Sequence, residues 1–371
     1  MTYLETWEVT MAAIDEAVEI RKGEELDEQK VREFLIDSIP GLKGDISIKQ
    51  FPGGFSNLTY LIRIGDREMV LRRPPRGKKA RTAHDMGREY NILRALKPVF
   101  PFCPEPLLYA EDPGVMGCPF YVMERIKGII IRKELPLEVS FTPGELRTLS
   151  ARLIEVLCSL HSLDYKKIGL GDFGRPEGYV RRQVEGWSGR YRDARTEDAP
   201  DCERVMQWLH DKMPADSPVP CVIHNDYKFD NAVLDPADPL KIIGILDWEM
   251  ATIGDPLMDL GNSLAYWVQK DDPDGVLLVR QLPTHLEGMF TRQEVVDFYG
   301  EKMGRKIDNF NYYLCFGLFR LAVIAQQIYY RFFHGQTTDK RFGMLIHVVN
   351  ILNEAALVEI NRFDLQKEVG D

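Results

Sequence analysis

Two stretches of this sequence carry side chains whose types and spacing could do chemistry. One is Val222-Ile223-His224-Asn225-Asp226-Tyr227-Lys228-Phe229-Asp230-Asn231, and the other is Ile245-Leu246-Asp247-Trp248-Glu249. In the first, an apolar lead-in breaks into a polar loop holding Asp226 and Asn231. Between the two, Ala232-Val233-Leu234 turns apolar again, Asp235-Pro236 and Asp238-Pro239 mark a turn, and Ile242 to Leu246 reads as a buried strand ending at Asp247. Three oxygen-bearing side chains are therefore expected at the ends of short adjacent strands. Hard oxygen donors of this kind suit Mg²⁺, which keeps waters and is usually shared with phosphate groups.

The elements that must position these groups can be read outward from them. A mixed, acidic stretch to about Leu26 allows a helix around Met11 to Ile20. A clearer helix starts near Asp27, with Val31, Phe34, Leu35 and Ile39 on one face, and stops at Pro40-Gly41. Three strand-like runs follow, Ile46 to Phe51, Leu58 to Ile64 and Glu68 to Arg73, with turns at Pro52-Gly53-Gly54 and Gly65-Asp66. Ala83 to Leu96 is expected to be a helix, Leu107 to Ala110 follows a proline-rich segment, and Pro119 to Glu124 is a strand leaving through Arg125-Ile126-Lys127-Gly128. Beyond Thr142-Pro143-Gly144-Glu145 the pattern turns helical, beginning with an apolar stripe of Leu146, Leu149, Leu153, Val156, Leu157 and Leu160. Tyr179 to Arg195 is an arginine-rich helix. Asp255-Pro256 opens another by N-cap and first-position proline, and helices at Arg292 to Met303, Phe310 to Phe333 and Arg341 to Ile360 complete the chain.

The spacing His224-x-Asp226-x-x-x-x-Asn231 followed by Asp247 resembles the catalytic loop and metal-binding aspartate of kinase-like phosphotransferases. With Asp247-Trp248-Glu249, and Gly254-Asp255-Pro256-Leu257-Met258-Asp259-Leu260 just after, it is most similar to the aminoglycoside phosphotransferase (APH)/choline kinase-like family. Within that family it resembles the branch also found fused to acyl-CoA dehydrogenases, over roughly Phe51 to the C-terminal helices. The resemblance implies an α+β, bilobal, protein-kinase-like fold. Its small N-terminal lobe, residues 1–126 with an antiparallel sheet and a helical extension, would bind nucleotide. Its larger, mostly helical C-terminal lobe, residues 127–371, would carry the catalytic loop and the acceptor-substrate helices.

The resemblance also implies roles. Asp226 would be the catalytic base for an acceptor hydroxyl, Asn231 and Asp247 would hold Mg²⁺, and His224 would be structural. Gly53 and Gly54, where glycine lets backbone N–H groups approach phosphates, would act with Ser56 and Asn57 over the nucleotide; on residues alone a glycine pair in a hairpin is more often just a turn, and the loop at His224 to Asn231 is what favours the phosphate role. Met69-Val70-Leu71-Arg72 matches the strand that delivers a phosphate-binding cation, with arginine in place of lysine, and Glu89 would pair with it. The hinge would present the Glu124 carbonyl and the Ile126 N–H to adenine. His161 would be a packing residue and Asp255 a brace for the active-site loops. Lys228 reads as a phosphate contact or a solvated lysine, and Asp230 as solvent-facing or supporting.

Bulk properties bound the function. At 371 residues the chain exceeds one ordinary core, and 44% hydrophobic with 28% charged residues is globular. A formal charge of −10 argues against a phosphate-tracking nucleic-acid binder. Six cysteines without a C-x-x-C pair, and an N-terminus without a signal pattern, fit a reducing cytoplasm. The apolar run Tyr312 to Tyr330 is broken by Arg320, Gln326 and Gln327 and reads as a buried helix, so no membrane partner is expected. Only seven residues lie between Asp247 and Asp255, too few for a long activation segment, which excludes a kinase switched there by phosphorylation. The leading expectation is an ATP- and Mg²⁺-dependent phosphotransferase acting on a small-molecule hydroxyl, with GTP left open. Asn309 to Phe333 contains no carboxylate but many aromatics, which tilts the acceptor from a cationic aminoglycoside towards a hydroxyacyl compound. The alternative is a nucleotide-binding pseudokinase serving as a regulatory or scaffold module. The oligomeric state is not legible.

Overall fold

The computed structural model describes residues 16–52, 57–75, 85–337 and 339–370, with side chains to residue 365. Gly53, Gly54 and Ser56 of the expected phosphate loop, and the first half of the expected Met11 to Ile20 helix, lie outside the described residues. Residues 16–20 are not helical, and Val18 instead pairs antiparallel with Gln50.

Along the chain run helix α1 (Glu28–Ser38), strands β1 (Ile46–Gln50), β2 (Leu58–Ile64) and β3 (Arg67–Arg73), and helix α2 (Met86–Leu96). Strands β4 (Pro106–Ala110), β5 (Phe120–Glu124) and β6 (Ile129–Ile130) precede helices α3 (Pro143–His161), α4 (Tyr179–Ala194) and α5 (Glu203–Asp211). Then come β7 (Cys221–Ile223), β8 (Ala232–Leu234), β9 (Ile242–Ile245) and β10 (Thr252–Gly254). Helices α6 (Pro256–Ala265), α7 (Asp274–Leu278), α8 (Arg292–Lys302), α9 (Asn311–Phe333) and α10 (Leu345–Gly370) finish it. Helix α5 was not expected from the sequence: Cys202 before it is left-handed and gives no side-chain cap, so the usual start signal is missing.

The chain folds as two compact units, Met1–Phe141 with Ala232–Glu249, and Thr142–Asn231 with Met250–Asp371. The expected boundary at residue 126 moves for a concrete reason: β6 pairs with β8, and β8 with β9, so both the segment after the hinge and the Asp247 hairpin belong to the first unit. That unit is built on an antiparallel sheet in the order β1-β2-β3-β5-β4. Asp27 caps α1 by accepting the Lys30 N–H, which fixes the helix start and lays Val31 and Leu35 against Tyr60, Ile62, Leu71 and Phe120 of the sheet. The β2–β3 turn needs its glycine: Gly65 is left-handed (φ 56°), and a Cβ there would sit 2.6 Å from the Lys43 carbonyl oxygen.

The second unit is helical around α9. A capping box of Thr142 and Glu145 starts α3, whose apolar stripe is buried as the pattern predicts. Helices α4, α6 and α10 pack on α9. By length and composition α10 could cross a membrane. Its buried residues Val349, Leu352, Ala356, Ile360 and Phe363 form one stripe at helical spacing, the pattern of a helix packed on a core. Strand β7 pairs with β10, and this short ribbon carries the loop that begins at His224. All six cysteines are buried and unpaired.

Candidate active site

In the second unit the loop after β7 is held from beneath by one carboxylate. Asp259, in the first turn of α6, is fully buried, and its Oδ2 and Oδ1 accept the backbone N–H groups of His224 (2.8 Å) and Asn225 (2.7 Å). His161 Nε2 lies 3.1 Å from Asp259 Oδ2, and His161 Nδ1 lies 2.7 Å from the Tyr299 hydroxyl. Burial pushes the Asp259 carboxyl up, yet the His161 hydrogen bond and the nearby His161 and His224 outweigh it and hold the group below its ordinary range. The brace expected at Asp255 thus falls to Asp259, one turn further on. Asp255 is spent on its own helix, its Oδ1 accepting the N–H groups of Leu257 and Met258.

The bracing fixes an unusual backbone. Asn225 is left-handed (φ 64°), a conformation asparagine tolerates better than most residues. Its side chain locks that turn, Nδ2 donating to the Met250 carbonyl (3.0 Å) and Oδ1 accepting from the Tyr179 hydroxyl (3.2 Å) and Asn262 Nδ2 (3.3 Å). The next residue, Asp226, points its carboxylate at two donors. Lys228 Nζ lies 2.5 Å from Oδ2 and Asn231 Nδ2 lies 3.0 Å from it. Asn231 Nδ2 also donates to the Asp226 carbonyl at 2.8 Å. Because the amide nitrogen of Asn231 is engaged this way, its oxygen is turned away from Asp226 and is left as a neutral hard donor.

Lys228 is neither solvated nor unpaired. Its ammonium also lies 3.4 Å from Asp230 and 5.0 Å from the Tyr266 ring centroid, and its side chain is only 11% exposed. Burial lowers its proton affinity, but Asp226 and Asp230 more than restore it, so its pKa stands above that of a free lysine.

In the first unit Asp247 follows β9 in a left-handed backbone (φ 66°). Trp248 anchors that bend: its indole Nε1 donates to the Ile245 carbonyl (2.8 Å), and its ring meets Phe100 edge-on. Arg72 on β3 reaches three carboxylates. It pairs with Glu89 of α2, as the sequence implies, and its Nη2 lies 3.1 Å from Asp247 Oδ1 and 3.3 Å from Glu249 Oε2. Asn57 is buried and donates through Nδ2 to the same Glu249 oxygen at 2.7 Å. Burial disfavours the Arg72 charge, but Glu89, Tyr121, Asp247 and Glu249 together keep it more firmly protonated than a free arginine; burial in turn raises the Glu89 carboxyl despite Arg72.

At the hinge, the Glu124 N–H donates to the Glu105 carbonyl (2.8 Å), and its carboxylate accepts from Lys97 Nζ (3.1 Å). Ile126 packs over β9, where a Cβ on Gly244 would meet its Cδ1 at 2.7 Å; a Cβ on Gly128 would lie 2.3 Å from the Leu234 carbonyl oxygen. Missing side chains at Gly128 and Gly244 are what let this connector lie flat on β8 and β9.

Sequence reasoning did not assign Glu249 or Asp259. The signal for Asp259 was a carboxylate four residues after the cap, one turn above Asp255 on the same face of α6, and for Glu249 a second acid two residues past Asp247. Taken separately, each unit offers a hard oxygen donor of the kind that suits a divalent cation, the Asp247 carboxylate in the first and the Asn231 amide oxygen in the second. Among the described residues no group of three or more His, Cys, Asp or Glu is placed to hold a metal ion.

Residues 47–289 match the model of the phosphotransferase enzyme family (APH). Acyl-CoA dehydrogenase family member 10 of Mus musculus is 36% identical over 298 residues, covering 80% of this chain and 27% of that protein. Acyl-CoA dehydrogenase family member 11 of Rattus norvegicus is 31% identical over 354 residues, covering 92% of this chain and 44% of that protein, so the chain spans less than half the length of these relatives. A Ralstonia eutropha structure assigned as an aminoglycoside phosphotransferase superposes with a TM-score of 0.74 at 28% identity, covering 90% of this chain and 98% of that one. Choline kinase of Cryptosporidium parvum shares the fold, with a TM-score of 0.62 at 14% identity over 92% and 97% of the two chains. With the loop, its brace and the arginine–glutamate pair in place, this chain belongs to the APH phosphotransferase enzyme family and has its kinase-like fold.

Proposed function

We propose that this protein uses ATP and Mg²⁺ to phosphorylate a hydroxyl group of a small molecule. The observation that carries the reading is the geometry around Asp226: a carboxylate on a rigid, left-handed loop, oriented by Lys228 and Asn231 and open at 19% side-chain exposure. Asp226 accepts the acceptor's hydroxyl proton as that oxygen bonds to the terminal phosphorus and the bond to the bridging oxygen of the departing diphosphate breaks. Asn231 contributes its amide oxygen and Asp247 its carboxylate to Mg²⁺, which when bound offsets phosphate charge. The Glu124 carbonyl and Ile126 N–H take the adenine edge. Gly53, Gly54, Ser56 and Asn57 flank the phosphates, and Arg72, aligned by Glu89, supplies positive charge near them.

The acceptor is a small, non-cationic alcohol. The aromatic residues of α9 do not speak for it as the sequence suggested, since Tyr312, Phe316 and Phe319 are core residues. Support comes instead from the absence of acidic side chains between Asn309 and Phe333, and from relatives named for acyl-CoA dehydrogenases, which fit a hydroxyacyl compound. Buried, unpaired thiols suit a reducing compartment such as the cytoplasm, and the negative charge suits neither nucleic acid nor an anionic membrane surface.

One observation favours a second reading, a nucleotide-binding pseudokinase: Arg72 is tied to Asp247 and Glu249 as well as Glu89, so both its terminal nitrogens are engaged by protein carboxylates. Thermal-shift titration with ATP or GTP and Mg²⁺, followed by acceptor-stimulated ADP release across sugars, amines, aminoglycosides and hydroxyacyl compounds, separates the two. Release with a hydroxyl acceptor is expected. Stabilisation by nucleotide with no release under any acceptor would establish the pseudokinase instead, and activity confined to aminoglycosides would overturn the acceptor reading.

A further inference from the structure

Helices α6 and α9 touch backbone to backbone. A Cβ on Gly261 would lie 2.3 Å from the Tyr313 carbonyl oxygen, and one on Gly317 would lie 2.3 Å from the Gly261 carbonyl oxygen and 3.1 Å from Ala265 Cβ. The contact advances in the same sense along both helices, from Tyr313 and Gly261 to Gly317 and Ala265. Arg320, three residues beyond Gly317 on the same face, therefore lies towards the C-terminal end of α6, where Tyr266 is the C-cap residue.

The Arg320 guanidinium lies 5.2 Å from the Trp187 ring centroid, and the residue is 4% exposed. No ion pair or hydrogen bond joins it to any described residue. A buried cation without a carboxylate is costly, and proteins ordinarily pair it. Arg72 shows the ordinary solution, with three carboxylates on one guanidinium. Aromatic stacking on Trp187 offsets only part of the cost at Arg320. An arginine left this way is prepared for an anion that arrives from outside the fold.

Two tyrosines connect it to the catalytic loop. Tyr266 faces Lys228, the partner of Asp226, and its hydroxyl has no hydrogen-bond partner among the described residues. Burial and Asp226 push that hydroxyl up to about 12, while Lys228 and Arg320 pull it back, so Asp226 and Arg320 both act on one phenol. Tyr179, which donates to Asn225 beside Asp226, also feels Arg320.

We infer that Arg320, with the Tyr266 hydroxyl, binds an anionic group of the acceptor, a carboxylate or a phosphate set apart from the hydroxyl that receives phosphate. This rests on the phosphotransferase reading above and narrows it: the substrate class is a hydroxy acid or a phosphorylated alcohol. An arginine fork is suited to both groups because it presents paired donors to two oxygens.

The test uses matched probes on the full chain: 3-hydroxybutyrate against its amide, and glycerol phosphate against glycerol. The wild type should be stabilised against heat by one or both anions, in the presence of ADP and Mg²⁺, more than by their neutral partners. Arg320→Gln should abolish that difference and lower the anion-over-neutral ratio of kcat/KM roughly tenfold, about 1.4 kcal/mol, and Arg320→Lys should recover part of it. ADP affinity within about twofold of wild type would show that Arg320→Gln is folded. Which anion loses its advantage distinguishes carboxylate from phosphate. Equal behaviour of anions and neutral partners in the wild type, or a ratio unchanged by Arg320→Gln, would overturn the inference. Phosphorylation of neutral alcohols with no anion preference would do so while leaving the proposed function standing, whereas nucleotide binding without turnover of any alcohol would remove that function itself.

Discussion

Asp226 and Asp259 are separated by one layer of backbone, and they are used in opposite ways. Asp259 is sealed from solvent, and its oxygens are occupied by two N–H groups and a histidine; Asp226 is part-exposed and receives only side-chain donors that a substrate could displace or share. The same contrast separates the buried arginines. Arg72 is surrounded by three carboxylates, while Arg320 pairs with none among the described residues. A polar group whose partners are all internal can only hold structure. One whose partner set is incomplete is where chemistry or binding can happen, because only there does an incoming group improve the electrostatics.

Removing the reactive member should cost activity and not stability. Asp226→Ala is expected to lower turnover by roughly 10² to 10⁴ with nucleotide-induced stabilisation intact, measured by ADP release and thermal shift. Equal turnover in the two proteins would erase the distinction from Asp259. Removing the structural member should do the reverse first: Asp259→Ala leaves two backbone donors and His161 without their acceptor and should cost about 3 to 5 kcal/mol of unfolding free energy, read by urea denaturation. A cost under about 1 kcal/mol would mean the loop does not depend on that brace.

Arg72→Lys keeps the charge but cannot serve Glu89, Asp247 and Glu249 at once, since a single ammonium lacks the planar fork. A loss of about 1 to 3 kcal/mol is expected from unfolding curves, together with weaker binding of ADP with Mg²⁺. Unchanged stability would show that only the Glu89 pair matters. The smallest effect is in pH. The folded Asp259 carboxyl is depressed below its ordinary 3.8, so the unfolded chain takes up this proton first as pH falls. Its contribution to stability is present above that value and is lost as pH drops through the lower folded one. Asp259→Asn should therefore show a shallower fall of stability below about pH 4 than wild type; parallel acid profiles would refute the assignment.

Much of this was legible in the residues themselves. Asp226, Asn231 and Asp247 stand out by their spacing along the chain, and the Arg72–Glu89 pair is one that the family resemblance implied and the structure contains. Helix starts at Asp27, Thr142 and Asp255 were readable because a cap is a contact between near neighbours. Other features were not. The aromatic run of α9 has the same composition whether it lines a pocket or fills a core, and only packing shows that Tyr312, Phe316 and Phe319 fill the core. Asp255 and Asp259 occupy the same helix one turn apart, and which of them reaches the loop depends on how β7 meets α6. The boundary after the hinge likewise moved because β6 pairs with a strand about a hundred residues away.

The sequence alone determined which polar side chains stand in the loops after β7 and β9 and where the helices begin, since loop composition and helix caps are local and residue type decides them. Tertiary structure decided which of those charges are satisfied. Glu249 became a partner of Arg72 and Asp259 of the His224 backbone, Lys228 turned out to be clasped between Asp226 and Asp230, and Arg320 was left without a carboxylate among the described residues. The physical reason is that a charge's cost and use depend on the partners brought to it from distant segments, which no local pattern specifies.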